Sequence, residues 1–311
     1  MSTLSIPPTL FSPVDDVSLL HKAFRGVGCD YSVVINILAH RDASQRMSIQ
    51  QEFTHWYSGD IRTCLTEKLI GNLKIAVLLW ILEPATRDAV VLNQALLKDD
   101  MRGATEVICS RTPTQIQTFK QIYNSMFGLL EHDLQKHTSG DHKKLLVAYI
   151  SIQRGEGSEF DIMAAENDAK TLYLAVEKRS GTDEIIKIFS ESSNAHLVSV
   201  DSIYNRMYGH SLEKAIKKDI TKPFASALLT IVRCAENPGK YFAMVLRKAM
   251  KGLRTGDKTL IRVIVTRVEI DMQYIKAEYQ KEYKNSLVTA VRLRTVGNYR
   301  KFLLALLGTK H

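Results

Sequence analysis

Leu246-Arg247-Lys248-Ala249-Met250-Lys251-Gly252 matches Leu20-His21-Lys22-Ala23-Phe24-Arg25-Gly26 in every position but the variable ones. The match is one visible piece of a longer internal register. Ala23 and Ala249 each lie eighteen residues before an arginine, Arg41 and Arg267. Arg41, Arg111, Ser192 and Arg267 each lie sixteen residues before an aromatic: Tyr57, Phe127, Tyr208 and Tyr283. Each copy closes on a leucine pair, Leu78-Leu79, Leu145-Leu146, Leu228-Leu229 and Leu303-Leu304. The anchors stand 70, 81 and 75 residues apart. That is too long for two-helix solenoid repeats and suits units of four or five short helices that bury their apolar faces against one another.

The local periodicity agrees. Apolar residues recur at three- and four-residue spacing, as in Val33-Val34 with Ile37-Leu38 and Leu260-Ile261 with Ile264-Val265. This is the period of amphipathic helices, and no alternating strand pattern competes with it. A chain of 311 residues with 45% hydrophobic and 24% charged residues can bury substantial cores. The register gives an arm over residues 1–12, repeats over 13–82, 83–152, 167–238 and 239–311, and a connector over 153–166. Ser151 to Glu166 is the clearest break in composition and coincides with the stretched spacing, so it is read as the joint between two halves of two repeats each.

Lys and Arg number 42 against 33 Asp and Glu, a formal charge of +9 that favours anionic partners such as acidic lipid or nucleic acid without defining a site. Cys29, Cys64, Cys109 and Cys234 form no CxxC pair, which argues against thiolate metal binding and for reduced, mostly buried thiols. No apolar run reaches the roughly 18 residues of a membrane span, and the first residues, MSTLSIPPTLFSP, lack a charged region followed by an apolar core. A cytoplasmic protein is expected.

FRGVGCD at 24–30, HTSGDHKKLL at 137–146 and MKGLRTGDKTLIRVIVTRVEID at 250–271 resemble annexins, plant annexins most of all. The resemblance runs from Pro13 onward. It implies an all-α fold of four repeats, four to five helices each, arranged as a curved disc that docks on acidic phospholipid through calcium on its convex face. The implied calcium site has two halves. A GxGT loop turns backbone carbonyls towards one point, with glycine where a side chain does not fit. About forty residues on, a carboxylate completes the oxygen shell that calcium needs.

Carried through the register, the first glycine position holds Gly26, Leu96, Glu177 and Gly252, and the second Gly28, Lys98, Arg179 and Arg254. The acid position holds Lys68, His137, Asp219 and Arg294. No repeat keeps a complete site. Two partial sites remain, both expected near millimolar affinity. One would use carbonyls of Phe24, Gly26 and Gly28, with Glu67 substituting for Lys68. The other would use Gly181 of Ser180-Gly181-Thr182-Asp183 with Asp219, although that loop lies two residues late and would need a shortened helix.

If the family fold holds, Lys68, Lys98, Arg179, Arg254 and Arg294, with His137 at acidic pH, lie on the membrane-facing side and bind anionic lipid directly, each contributing about 1 kcal/mol. Val27 takes a place where many plant relatives carry tryptophan, which argues for weaker insertion. The residues implied for a central polar channel are Asp88, Glu106, Arg111 and Arg267, and a buried ion-pair network is the favoured reading over conduction. His40 matches a position proposed for haem-linked peroxidase activity, yet no distal acid-base pair accompanies it and a helix-end histidine bonded to backbone or carboxylate is favoured. No GxxxxGK[ST] loop is present. The expectation is a non-enzymatic, peripheral binder of acidic phospholipid with weak or lost calcium dependence and neither haem nor nucleotide. The alternatives are a haem-linked peroxidase and a scaffold for actin or nucleic acid. Nucleic acid is disfavoured, because the basic residues are dispersed without interleaved aromatics.

Overall fold

The computed structural model describes residues 1–7, 12–178 and 181–309. Among the described residues there are twenty helices and no strand. They come in four quintets. The first is α1 (Pro13–Phe24), α2 (Tyr31–Leu38), α3 (Ala43–Tyr57), α4 (Ile61–Lys68) and α5 (Gly71–Trp80). The others run from α6 (Pro84–Leu97) to α10 (Gly140–Ser151), from α11 (Ile162–Glu177) to α15 (Phe224–Glu236), and from α16 (Pro238–Ala249) to α20 (Gly297–Leu306).

Short helices need firm ends, and the sequence supplies them. The third helix of the first three quintets starts behind Asp42, Thr112 or Ser193, whose side chain accepts a backbone N–H of the first turn. Gln45 and Gln115 return the bond as capping boxes, and loss of such a cap costs about 1 kcal/mol. The fifth helix opens in three quintets with a left-handed glycine, Gly71, Gly140 and Gly297, at φ of 57°, 58° and 59°. A residue with a Cβ is strained there. The leucine pairs that close each repeat are largely core: Leu79, Leu145, Leu146, Leu228, Leu303 and Leu304 are buried.

Three of the four anchors of the register, Arg41, Arg111 and Arg267, are buried charges. Arg41 makes a two-point pair with Asp16, at 2.7 Å for both bonds. Arg111 does the same with Asp88, at 2.6 and 2.9 Å. In the last repeat Phe242 occupies the place of the acid, 25 residues before Arg267. Arg267 lies over its ring at 4.5 Å and pairs with Asp271 one turn on, at 2.8 and 2.5 Å. The third repeat keeps the acid but not the arginine; Ser192 stands where the arginine would be, and Asp168 meets His196 Nε2 at 2.8 Å instead.

The chain divides into two compact units, residues 1–87 with 242–311, and residues 88–241. Repeats 1 and 4 thus share one unit, repeats 2 and 3 the other. The division expected from composition at 151–166 instead falls inside the second unit, where connector residue Glu156 accepts the Thr114 N–H at 2.6 Å. The first unit is tied by Trp80, fully buried, whose indole donates to Leu38 O at 2.7 Å. Arg46 and Arg87 stand over its ring at 3.8 and 4.8 Å. Arg46 makes a two-point bond to Glu269, Arg87 lies 3.5 Å from the same carboxylate, and Arg87 also donates to Val265 O at 2.6 Å. The arm lies on the same unit: Thr3 donates from N to Val268 O and from Oγ1 to Leu306 O, while Met1 O accepts from Gln273 N.

Candidate functional site

The loop of repeat 1 joins α1 to α2. Arg25 N–H closes α1 on Lys22 O, Asp30 caps α2, and Gly26 and Gly28 take φ of +82° and +126° between them. The space beside both Cα atoms is open. Lys68 ends α4 and reaches across 42 residues of sequence to donate from Nζ to Gly26 O at 2.8 Å. Glu67 beside it is exposed, with no bond to the loop among the described residues. Phe24 contributes its ring to the core, and Val27 stands at the tip with 111% exposure.

Repeat 4 builds the same contact with a different cation. Gly252 takes φ of +100°, and Arg294, at the end of α19 (Leu287–Arg294), donates from Nη1 to Gly252 O at 2.7 Å, again across 42 residues. Thr255 Oγ1 returns a bond to Arg294 O at 3.1 Å. Leu253 stands at the tip with 104% exposure, and Arg254 beside it is exposed. In repeats 1 and 4 a fixed positive charge therefore lies on the carbonyl that the resemblance assigned to calcium. Calcium does not fit either place as these side chains stand.

Repeat 2 has only three residues between α6 and α7 (Met101–Cys109), and all three backbone N–H groups are satisfied. Lys98 N and Asp100 N donate to Ala95 O, and Asp99 N donates to Leu96 O. Lys98 points into solvent, while His137 Nδ1 lies 3.5 Å from the Asp99 carboxylate. Polarity is reversed here, with the carboxylate on the loop and the base opposite.

Repeat 3 keeps the acid. Asp219 ends α14 (Leu212–Asp219), and its Oδ2 is buried without a hydrogen-bond partner, Lys218 Nζ being 3.9 Å away. Gly181 and Thr182 line the same cavity as Asp219, about 680 Å³ in volume, together with Asp141, His142 and Lys222. The two halves suspected from sequence thus meet. No shortened helix is involved: α12 (Asp183–Glu191) starts late but runs up to Ser192, whereas α2 stops three residues short of Arg41. At the loop's other end Glu177 accepts from Tyr204 OH at 2.5 Å and lies 3.3 Å from His210 Nε2. A buried oxygen without a partner beside a loop suits a hard cation, so calcium fits repeat 3 in part. Arg179 lies outside the described residues.

Among the implied channel residues, Asp88 and Arg111 are partners within the second unit, with Glu106 buried there, and Arg267 is paired with Asp271 within the first. His40 Nδ1 is bonded to Asn36 O at 2.9 Å at the end of α2. Sequence reading missed three exposed apolar residues: Leu253, and Ile70 and Val296, which follow the clasping cations by two positions and are each 73% exposed. Their place two residues past the acid position was the available signal.

The Annexin family model matches residues 15–80, 87–149, 167–231 and 241–306. Annexin D5 of Arabidopsis thaliana is 48% identical over 313 residues, covering 99% of each chain. Annexin A13 of Mus musculus is 37% identical, covering 94% of each. Among solved structures, annexin III superposes with a TM-score of 0.94 at 30% identity, over 100% of this chain and 98% of that one. A calcium-bound annexin (Sm)1 superposes with 0.85 at 26%, over 100% and 94%.

Proposed function

This chain belongs to the annexin family, and from that premise we propose that it is a peripheral membrane protein of the cytoplasm that binds acidic phospholipid largely without calcium. The observation that carries the reading is the pair of clasps, Lys68 on Gly26 O and Arg294 on Gly252 O. A bridging calcium would meet loop carbonyls and lipid phosphate together; a tethered ammonium or guanidinium meets both with charge already present. Lys98 and Arg254, both exposed, add to the attraction, and Arg179 is assigned with them from the sequence register. Among the described residues no helix is long and apolar enough to cross a membrane, which agrees with attachment at the surface. Calcium keeps one weak place, at Asp219 and the Gly181 loop, and no haem or nucleotide is assigned.

Co-sedimentation with phosphatidylserine vesicles in EGTA tests this. Binding at low salt that falls steeply as salt rises is expected, because exposed charges are screened beyond about 10 Å at 0.1 M. In calorimetry without lipid, calcium should give one weak heat that disappears in Asp219→Asn. A protein that ignores the vesicles in EGTA and binds them only when calcium is added overturns the reading.

A further inference from the structure

The connector is acidic on a basic protein. From Gln153 to Glu166 it carries Glu156, Glu159, Asp161 and Glu166 against Arg154 alone, in a chain of formal charge +9. Three of the four carboxylates are engaged. Glu156 accepts the Thr114 N–H, Asp161 caps α11 by accepting from Met163 N and Ala164 N, and Glu166 lies 3.6 Å from Arg206. Glu159 is exposed and has no hydrogen bond or ion pair among the described residues. Beside it Phe160, Ile162 and Met163 are exposed by 47, 61 and 75%. Three apolar side chains within four positions, next to an unspent carboxylate, make a patch of the kind that marks an interaction site.

The complement of that patch lies on the same unit. Helix α10 turns His142, Leu145, Leu146, Tyr149 and Ile150 into the core. Its other face, with Ile152 just beyond its end, lines a groove of about 580 Å³ in which Val147, Ala148 and Ile152 lie with Lys143 and Lys144. The three apolar residues are only half-buried. Lys144 is held by Asp183 at 3.0 Å and Asp141 at 3.6 Å, whereas Lys143 has no carboxylate partner among the described residues. The groove thus offers an apolar floor and an unspent cation, and the connector an apolar segment and an unspent carboxylate. Within one chain both stay open to solvent, so neither satisfies the other there. We propose that residues 159–163 of one copy dock in the α10 groove of a second copy, with Phe160 and Met163 on Val147, Ala148 and Ile152, and Glu159 opposite Lys143. A second copy is the occupant that the page favours because the two surfaces match in charge and in polarity and every chain carries both. Two different patches meet, so the contact is heterologous: each added copy keeps a groove or a connector free, and assembly runs on as a ring or an open row instead of stopping at a symmetric dimer. A groove of this size is short of a permanent interface, and the association is weak and charge-steered.

The test is sedimentation of the full chain in EGTA, without lipid. The wild type should be a monomer when dilute and a growing series of oligomers as its concentration approaches about 1 mM, the range of a weak interface. Two variants each break one side: Val147→Glu fills and charges the groove, and Phe160→Ser with Met163→Ser strips the segment. Each alone should weaken association at least about tenfold, the worth of one apolar side chain taken out of water. Mixed in equal amounts they should form a dimer and nothing larger, because one still has its segment and the other its groove. That rescue also shows that both variants are folded. Glu159→Lys alone should weaken association about threefold, as for an exposed pair, and Glu159→Lys with Lys143→Glu in one chain should restore it. A wild type that stays monomeric at every concentration leaves the two surfaces to other proteins and overturns the proposal. So does association of either variant at wild-type strength, or a mixture that stays monomeric while both variants keep the wild-type helical ellipticity.

Discussion

Repeats 1 and 3 each place the last residue of the fourth helix beside the repeat's own first loop, but with opposite charge. In repeat 1 the residue is Lys68, its Nζ resting on the first loop glycine. In repeat 3 it is Asp219, which lines a cavity shared with Gly181 and whose buried Oδ2 has no hydrogen-bond partner. One loop has its positive charge supplied by the chain. The other needs a cation from solution. The helical scaffold is indifferent to the choice, because this residue lies at a helix end and not in the core, so the repeats can diverge in ligand while keeping their packing.

The comparison can be pressed at three places. The largest effect is expected in the unit that holds repeats 1 and 4, where Glu269 is the carboxylate shared by Arg46 and Arg87. Arg46 is fully buried, and burial pulls its guanidinium below its usual range while Glu269 opposes that pull. Glu269→Ala leaves two interior cations without their carboxylate and should cost about 3–5 kcal/mol in urea denaturation. A loss below about 1 kcal/mol, the size of a surface pair, would remove the ion cluster from the account of this unit. Next in size is Lys68→Glu, which gives repeat 1 the charge of repeat 3. Calcium affinity in calorimetry should rise about tenfold, since a bidentate carboxylate is what the loop lacks, and vesicle binding should come to need the ion. An unchanged titration would mean that loop geometry, not the charge at this position, separates the two repeats.

The smallest effect concerns α14, the helix that delivers Asp219. Glu213, near its start, is gripped by Arg233, at 2.9 and 3.2 Å, and by Lys217. The Arg233 bond, more than any other influence, holds its carboxyl down at about 2, against an ordinary 4.5. A lowered folded value means that the stabilisation is complete above about 4.5 and is lost as pH falls towards 2. Thermal melts of the wild type and Glu213→Gln should therefore differ at pH 6 and converge near pH 2, with a difference kept modest by solvent screening. Parallel curves at every pH would show that Glu213 is not gripped in solution.

The fold was legible because its signals are local and periodic: three- and four-residue apolar spacing, arginine anchors and the leucine pairs that close each repeat. The partners of the anchors were less legible, because the spacing shifts: Asp16 lies 25 residues before Arg41, Asp88 lies 23 before Arg111, and Arg267 pairs forward with Asp271. The cations at the acid position were legible as residues. Their contacts were not, because whether a lysine side chain points into solvent or bends onto a carbonyl 42 residues away depends on loop conformation. The exposure of Ile70 and Val296 was hidden for the opposite reason, as an apolar residue beside a buried one, Leu69 or Thr295, reads as core until the chain direction is known. The two-residue offset of the Gly181 loop read as a defect, because the register counts back from Ser192 and α12 starts only nine residues before it, where α2 starts ten before Arg41.

The chain has two tryptophans, Trp56 and Trp80, and both fall in the first unit. Trp56 is 58% exposed and bonded to Glu52, whereas Trp80 is fully buried with two guanidinium groups against its ring. Excitation of indole therefore reads one half of the molecule: a blue-edge band from Trp80 whose red shift marks separation of repeats 1 and 4, beside a solvent-like band that scarcely moves. Residues 88–241 contain no indole and can melt without altering either band, so an unfolding curve taken this way needs a second probe, such as helical ellipticity, before it speaks for the whole chain.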